Sequence, residues 1–565
     1  MNPSPKNDSD LPIATPAVPK SDSLVCLIQI SWDSGTHQLQ STASTAEHPN
    51  TAEHIIGLMS DPYYTNKSIR DVPPSIQTDA MSKRLSSVLD SLAAVLVSQE
   101  TKEVISVGVR LGPTNEIVLS IADNKPVGPN IKTHALDVWH RLIKLSEGFG
   151  DYQKKHEMKR DQSDTSTSPP MIRLTNFSEN LQSEICDFKY SIYFHHFRKF
   201  MNRFTKGKPL YARYEGIEAL RDKLKEKETP SIMEQGLLSS MNRLVAVLAI
   251  VHSLVKSGQF PISTEDFDTF SCALEVATET VRAILSDENS VSYLEKDDHI
   301  SLRYMKKVTS VTQSINILIK AAYSPRVRAR FFSGKKLDVE LVTSSTQILN
   351  FPQNKEDYRQ LAGSVLFSLG DRLQGDEGVP PSHIMNNPLR KIAVHTECIL
   401  LLHLIKCSQD NKSVHCLPFI GCSKLSCLSC FFFFESVRVV MGVNFQVGGS
   451  HGKIYPWVFP ETALQKINGN AAQQVQIHFT GKVKGRYLEV VRQKRAGRKS
   501  SPTPSDSSTN SAVEDSAAEL LRDLGYEIPW GHLIPDGLAW DFCFSFFFSF
   551  DSPLRGPPVY QRAVV

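Results

Sequence analysis

"AVHTECILLL", residues 393–402, sets a histidine and a glutamate two positions apart at the head of an apolar run. Beyond it, "KLSCLSCFFFF" (424–434) opens a second apolar run with Cys427 and Cys430. The spacing of apolar residues predicts a helix over 394–407 and another over 427–440. "CLPFIG" (416–421) between them fits a short buried strand. Helix, strand and helix in this order can bring both helix starts to one edge of a sheet. Residues two apart in a first turn can both face a pocket beyond the helix end, so His395 and Glu397 can share one. A C-x-x-C pair at a helix start places two sulfurs on one metal. The positive helix N-terminus also favours the thiolate form.

Such a set has a specific chemistry. Zinc-dependent deamination needs three protein ligands, an open position for water and a carboxylate near that water. The general pattern is H-x-E followed by P-C-x-x-C, in which the glutamate is not a ligand. His395, Cys427 and Cys430 are the candidate zinc ligands, and Glu397 is the candidate proton shuttle. Taken singly, each half has ordinary readings. H-x-E can be a satisfied core histidine, and C-x-x-C a redox pair. Structural zinc on Cys422, Cys427, Cys430 and another cysteine is the main rival, and a buried cysteine cluster the simplest one. Ser426 stands where the general pattern has proline.

The motifs "HTECILLLHLI", "FIGCSKLSCLSCFFFF" and "GGSHGKIYPWVFP" resemble the Orientia-type deaminase-like family, expanded in fungi, within the cytidine-deaminase-like superfamily. The resemblance covers about 393–460. It implies a three-layer α/β/α domain, a zinc ion, His395, Cys427 and Cys430 as its ligands, and Glu397 as proton carrier. His451, Gly452, Tyr455 and Trp457 match the later run. The superfamily order is helix, hairpin, H-x-E helix, strand, C-x-x-C helix, strand. A helix over 79–99 and strands at 103–111 and 116–122, joined by the turn "GPTN", supply the first half of that order far upstream. A split deaminase domain with an insertion at about 128–385 is therefore expected. An unrelated N-terminal α+β module is the alternative.

The expected fold is α/β with a large, mostly α-helical region. Residues 1–23 read as a polar, Pro/Ser-rich lead, and 24–150 as an α+β region. Residues 154–170 read as a polar linker and 171–385 as helical, with clear helices at 239–258, 269–287 and 309–324. The zinc deaminase-like domain is placed at 386–480, a basic and low-complexity linker at 481–516, and a Phe-rich tail at 517–565. A net charge of +3 over 565 residues gives no global case for nucleic-acid binding. Local hints are the basic stretch 482–500, for which a solvated tail leading into a flexible linker is the preferred reading, and "FRKFMNRFTKGKPLYARYEG" (197–216), an ordinary pattern on an amphipathic helix. Six of the ten cysteines lie within 398–430, a clustering that argues for metal or reactive thiols rather than a disulfide scaffold. Cys398, Cys407 and Cys416 are expected to pack as small apolar residues. With no apolar leader and no stretch near the ~20 apolar residues of a membrane span, an intracellular protein of cytoplasm or nucleus is expected, without membrane.

The functional expectation is a zinc-dependent hydrolase that deaminates a nucleobase, in nucleic acid or a nucleotide. The alternative is a catalytically inactive, zinc-stabilised binding module with the deaminase fold. His451, Tyr455 and Trp457 are the candidate substrate-binding residues. The two aromatics could stack on a base or pack in the core, and His451 could approach the pocket or serve its loop.

Overall fold

The computed structural model describes residues 51–60, 80–99, 103–113, 116–124, 129–160, 177–205, 214–255, 263–297, 299–375, 377–379, 382–386 and 388–499. The readings of 1–23, 501–516 and 517–565 lie outside these residues, as does 206–213 of the basic-aromatic stretch. The strands are β1 (Ile105–Leu111), β2 (Glu116–Asp123), β3 (Lys336–Thr343), β4 (Thr346–Asn350), β5 (Leu389–Ala393), β6 (His415–Cys422) and β7 (Gln446–Val447). The principal helices are α1 (Thr51–Met59), α2 (Ala80–Val95), α3 (Pro129–Arg160), α4 (Glu179–Thr205), α5 (Tyr214–Lys225), α6 (Ile232–Val255) and α7 (Thr264–Ser286). They continue with α8 (Glu288–Asp297), α9 (His299–Tyr323), α10 (Lys355–Ser368), α11 (Thr396–Asp410), α12 (Leu428–Met441) and α13 (Gly469–Lys499).

One mixed sheet runs in the order β3-β2-β1-β6-β7, and β4 and β5 pair as a separate antiparallel ribbon. β1 is antiparallel to both β2 and β6, whereas β3 lies parallel to β2 and β7 parallel to β6. The β1–β2 hairpin thus shares a sheet with the strand between the two motif helices. Ser106 of β1 pairs with Cys422 of β6, 316 residues further along the chain.

Alternation along the strands sorts residues onto two faces. Ile105, Val107 and Val109 of β1, with Ile117, Leu119 and Ile121 of β2, join the core under α2, α3 and α9. Ser106, Gly108 and Arg110 turn the other way, onto α11. There Ser106 meets Thr396, Gly108 lies under Leu404 and Arg110 meets Cys407. β1 therefore lies along the length of α11, and α12 and α13 complete that layer through a second core. The result is an α/β/α domain, joined by the helices α4 to α9, whose buried side chains belong to the same apolar cluster as the α2 face of the sheet.

Two glycines let α2 approach the sheet. A Cβ on Gly421 of β6 would stand 2.1 Å from the Leu89 carbonyl carbon, and one on Gly448 would stand 2.2 Å from Asp90 Oδ2. Asp90 Oδ1 accepts the Cys422 amide at 2.7 Å, and burial pushes this carboxyl up to about 6.

Four readings of the sequence need correction. The stretch 154–170, expected as a polar linker, begins as helix, since α3 runs from 129 to 160. The interval 171–385 contains β3 and β4 as well as helices, and β3 forms the edge of the main sheet beside β2. The basic stretch from 482 to 499 is neither tail nor linker. It is the second half of α13, with Val483, Tyr487, Val490 and Val491 in the core. Its cations are largely matched within the protein: Lys482 by Glu435, Arg486 by Glu489, and Arg495 by Asp371 and Glu377. Finally, among the described residues α6 is long and apolar enough to cross a membrane. Its buried stripe of Leu237, Met241, Leu244, Leu248, Val251 and Val255 is that of a helix packed on α5 and α7. Phe197 and Phe200 are likewise buried in α4, so these two aromatics of the 197–216 stretch serve the core.

Candidate metal centre

His395 is the residue that caps α11, but its ring makes no capping bond. Its backbone carbonyl instead accepts the Cys398 and Ile399 amides at 3.1 and 3.2 Å. The preceding residue is fixed by the β4–β5 ribbon, since Val394 donates its amide to Ser345 and accepts the Ser344 hydroxyl. Cys427 caps α12, and its sulfur accepts the Cys430 amide at 3.4 Å. Both helix starts therefore point at one place, as the helix, strand and helix order permits.

The three donors meet there. His395 Nδ1 lies 3.1 Å from Cys430 Sγ and 3.5 Å from Cys427 Sγ, and the two sulfurs are 3.4 Å apart. All three atoms fall within 4.8 Å of one another. Zinc bonds of about 2.3 Å to sulfur and 2.0–2.1 Å to nitrogen require tetrahedral edges of roughly 3.5 to 3.8 Å. The observed edges are slightly shorter, so a small outward movement would seat the ion. Burial pushes both thiols well up. His395 draws the Cys427 thiol down but does not offset its burial, so a metal cation is what would turn both thiols into thiolates. An imidazole with two such thiols suits zinc.

Glu397 stands in the first turn of α11 and is buried. Its charge acts on His395, Cys430, Cys422 and His451, which places it beside the donors. Thr396 Oγ1 donates to its Oε2 at 3.3 Å, and Ser106 Oγ lies 2.7 Å from Thr396 Oγ1. A strand from the distant hairpin thus supports the residue that carries the carboxylate.

The loop after β7 forms the back of the site. Ser426 donates its amide to Gly449 at 3.1 Å, while its carbonyl accepts the His451 amide at 3.1 Å and the Ser450 hydroxyl at 2.9 Å. A proline at 426 could not make the first bond, which accounts for the absence of proline at this position. Two residues further on, Leu428 donates its amide to the Lys453 carbonyl at 3.0 Å.

The remaining candidates fall in different places. His451 Nδ1 accepts the Lys453 amide at 3.0 Å, and burial with the Lys453 charge pulls its pKa down, so it is neutral at pH 7. Tyr455 is 45% exposed and meets the His451 ring edge-on at 5.4 Å. Trp457 is 0% exposed, and its ring packs among Phe433, Phe459 and Phe479. Of the two aromatics proposed for base stacking, Trp457 is thus walled in, while Tyr455 remains at the surface. Cys422, offered as a ligand of structural zinc, faces Ser106 at 3.6 Å and is outside the donor group.

Several neighbours escaped the sequence reading. Cys398 was taken for a small apolar residue, yet it hydrogen-bonds Cys430. Its position beside Glu397 in the motif was the available signal. Cys407 likewise accepts from Arg110 Nη1 at 3.2 Å. The backbone of Pro456 bonds His395, and Trp457 Nε1 donates to Cys430 Sγ at 3.3 Å. Nothing in sequence spacing marks the Ser106–Thr396 pair, because only the β1–β6 pairing brings it together.

Residues 394–461 match the family model "OTT_1508_deam:-like deaminase". Neither a curated protein nor a solved structure gives a match. The matched segment holds all three donors, Glu397 and the loop behind them, while β1 and β2 lie outside it.

Proposed function

We propose, for a chain whose residues 394–461 belong to the OTT_1508-like deaminase family, that the centre is a zinc-dependent hydrolytic deaminase site for a nucleobase, carried by a nucleotide or a nucleic acid in the cytoplasm or nucleus. The domain on this reading is split. α2 and the β1–β2 hairpin form one part, the segment from β5 onward the other, and the helices from α3 to α9 are inserted between them. What supports the split is the pairing of β1 with β6 in one sheet.

The observation that carries the chemistry is the convergence of three donors with a buried carboxylate beside them. His395 Nδ1, Cys427 Sγ and Cys430 Sγ would hold the ion. When bound, zinc supplies a Lewis acid that lowers the pKa of a water to about 7. Glu397 is the group that would accept a proton from the attacking water, whose oxygen would bond to the ring carbon bearing the amino group. It would then return the proton to the leaving nitrogen. The C–N bond would then break and ammonia depart, and with the proton of the added hydroxyl passed to the ring nitrogen the base would keep the oxygen as a carbonyl. The Ser106–Thr396 pair keeps the carboxylate on the donor side. His451 and Tyr455, at the outer end of the loop, are the side chains that would meet the base or its sugar on this reading.

A second reading has one observation in its favour. Cys398 touches Cys430 and could close a structural four-ligand site in an inactive binding module. Its absence from the converging donor group weighs against this.

The test is ammonia release by the full chain from nucleosides, nucleotides and single-stranded DNA and RNA. Activity on at least one of them is expected, with a loss on the order of 10²–10⁴ in Glu397→Gln at unchanged zinc content. Activity undiminished in that variant would overturn the role of Glu397. Inactivity of the zinc-loaded chain on all these substrates would favour the closed, non-catalytic site.

A further inference from the structure

Trp457 invites a stacking role by its type, but its burial forbids one. Phe433, Phe459 and Phe479 surround its ring at centroid distances of 5.8, 6.1 and 4.7 Å. Its one polar atom, Nε1, donates to Cys430 Sγ, 3.3 Å away, and also reaches Cys398. A buried indole N–H normally finds a partner, and many acceptors could serve. Here the partner is the sulfur of a candidate ligand that is itself 0% exposed.

The preceding residue touches the second ligand. Proline has no N–H, so the Pro456 backbone contact with His395 is made by its carbonyl. His395 Nδ1 faces the sulfurs, which leaves Nε2 to donate to that carbonyl. This fixes the tautomer whose Nδ1 lone pair faces the sulfurs. Two consecutive residues of one loop thus brace two of the three donors, the carbonyl by orienting the imidazole and the indole by donating to the sulfur. A charged sulfur shut away from water needs such donors.

We propose that Trp457 is a positioning residue of the metal centre, whose indole N–H compensates the Cys430 thiolate and fixes its orientation. This role rests on the reading of His395, Cys427 and Cys430 as that centre. It predicts that the N–H matters apart from the bulk of the ring. Outer hydrogen bonds of this kind are worth about 10–100-fold in metal affinity.

The experiment compares the full chain with Trp457→Phe, which keeps an aromatic ring and removes the donor. Zinc affinity is measured by chelator competition. The sulfur-to-metal charge-transfer band is recorded with Co²⁺ in place of zinc. The expected result is a 10–100-fold weaker affinity with a displaced band. Phe433→Leu, which disturbs the same core without touching a donor, should lower Tm and leave the band where it was. Replacing the indole by benzothiophene at position 457 keeps ring size without the N–H, and should reproduce the Trp457→Phe result even where phenylalanine loosens the core. Unchanged affinity and band in either ring replacement would overturn the role of Trp457 alone, as would an equal band displacement in Phe433→Leu. Failure of the unaltered chain to bind zinc stoichiometrically would remove the metal centre, and this role with it.

Discussion

α11 carries two clusters built from the same residue types, one at its start and one near its end. At the start, His395 and Glu397 stand with Cys427 and Cys430. Two to three turns later, His403 and Cys407 stand with Glu340 of β3. His403 Nε2 lies 3.0 Å from Glu340 Oε2 and 3.5 Å from Cys407 Sγ. The difference lies in charge and convergence. The second cluster contains its own cation, since Arg110 pairs with Glu340 and also donates to Cys407. His403 first, and then Arg110, hold the Glu340 carboxyl below its ordinary range. The first cluster has two thiols that burial pushes up, with His395 opposing that push at Cys427 and no Lys or Arg paired with them among the described residues. Its donors converge on a point, whereas Glu340, His403 and Cys407 form no such group. The same three residue types, gathered at the two ends of α11, therefore make a structural ion cluster in one place and a candidate metal centre in the other.

Acid should separate the two most strongly. Each thiol that loses its proton on binding zinc adds a factor of about ten in affinity per pH unit, so two of them give up to roughly 100-fold per unit below their pKa. Zinc affinity should thus fall steeply as pH drops from 8 to about 6, which chelator competition at several pH values would show. The Glu340 carboxylate, held below its ordinary range, should stay ionised throughout that window. A carboxyl with a depressed folded pKa contributes stability above its unfolded value of about 4.3 and loses it only as pH falls below that. A flat zinc affinity between pH 6 and 8 would erase the contrast.

A smaller effect should come from removing the second cluster's anion. Glu340→Ala leaves Arg110, with its side chain 16% exposed, facing Cys407 without a carboxylate. Because Glu340 itself is 38% exposed, solvent screening lowers the cost from that of a fully buried pair to about 1–2 kcal/mol. Denaturant titration would read this as a lower midpoint, with zinc affinity unchanged. Lost zinc binding in Glu340→Ala would show that the two clusters are one site.

Much of this centre was legible in the sequence because local rules govern it. Two apolar runs of helical period, each headed by polar ligands, gave both helix starts, and the Cys427/Cys430 spacing is set by a single turn. The run "FFFF" reads as core and is core in part, with Phe433 and Phe434 buried. The hairpin and α2 were legible as elements from alternation and period. What stayed hidden depends on contacts between distant segments. The support of Thr396 by Ser106 exists only because β1 pairs with β6, and the place of β3 beside β2 follows no local pattern. The basic half of α13 misled because charge suggests solvent, while its apolar stripe at Val483, Tyr487 and Val490 was the better guide. Trp457 was noticed for its type, but its role depends on burial, which type alone does not supply.

The central claim is that the start of α11 and the start of α12 together hold one metal ion and that the end of α11 holds none. Elemental analysis of the purified full chain beside Cys427→Ala and Cys407→Ala measures it directly. The expected result is about one zinc per chain in the unaltered protein and in Cys407→Ala, and almost none in Cys427→Ala. Zinc retained in full by Cys427→Ala, or absent from the unaltered chain, would contradict the account.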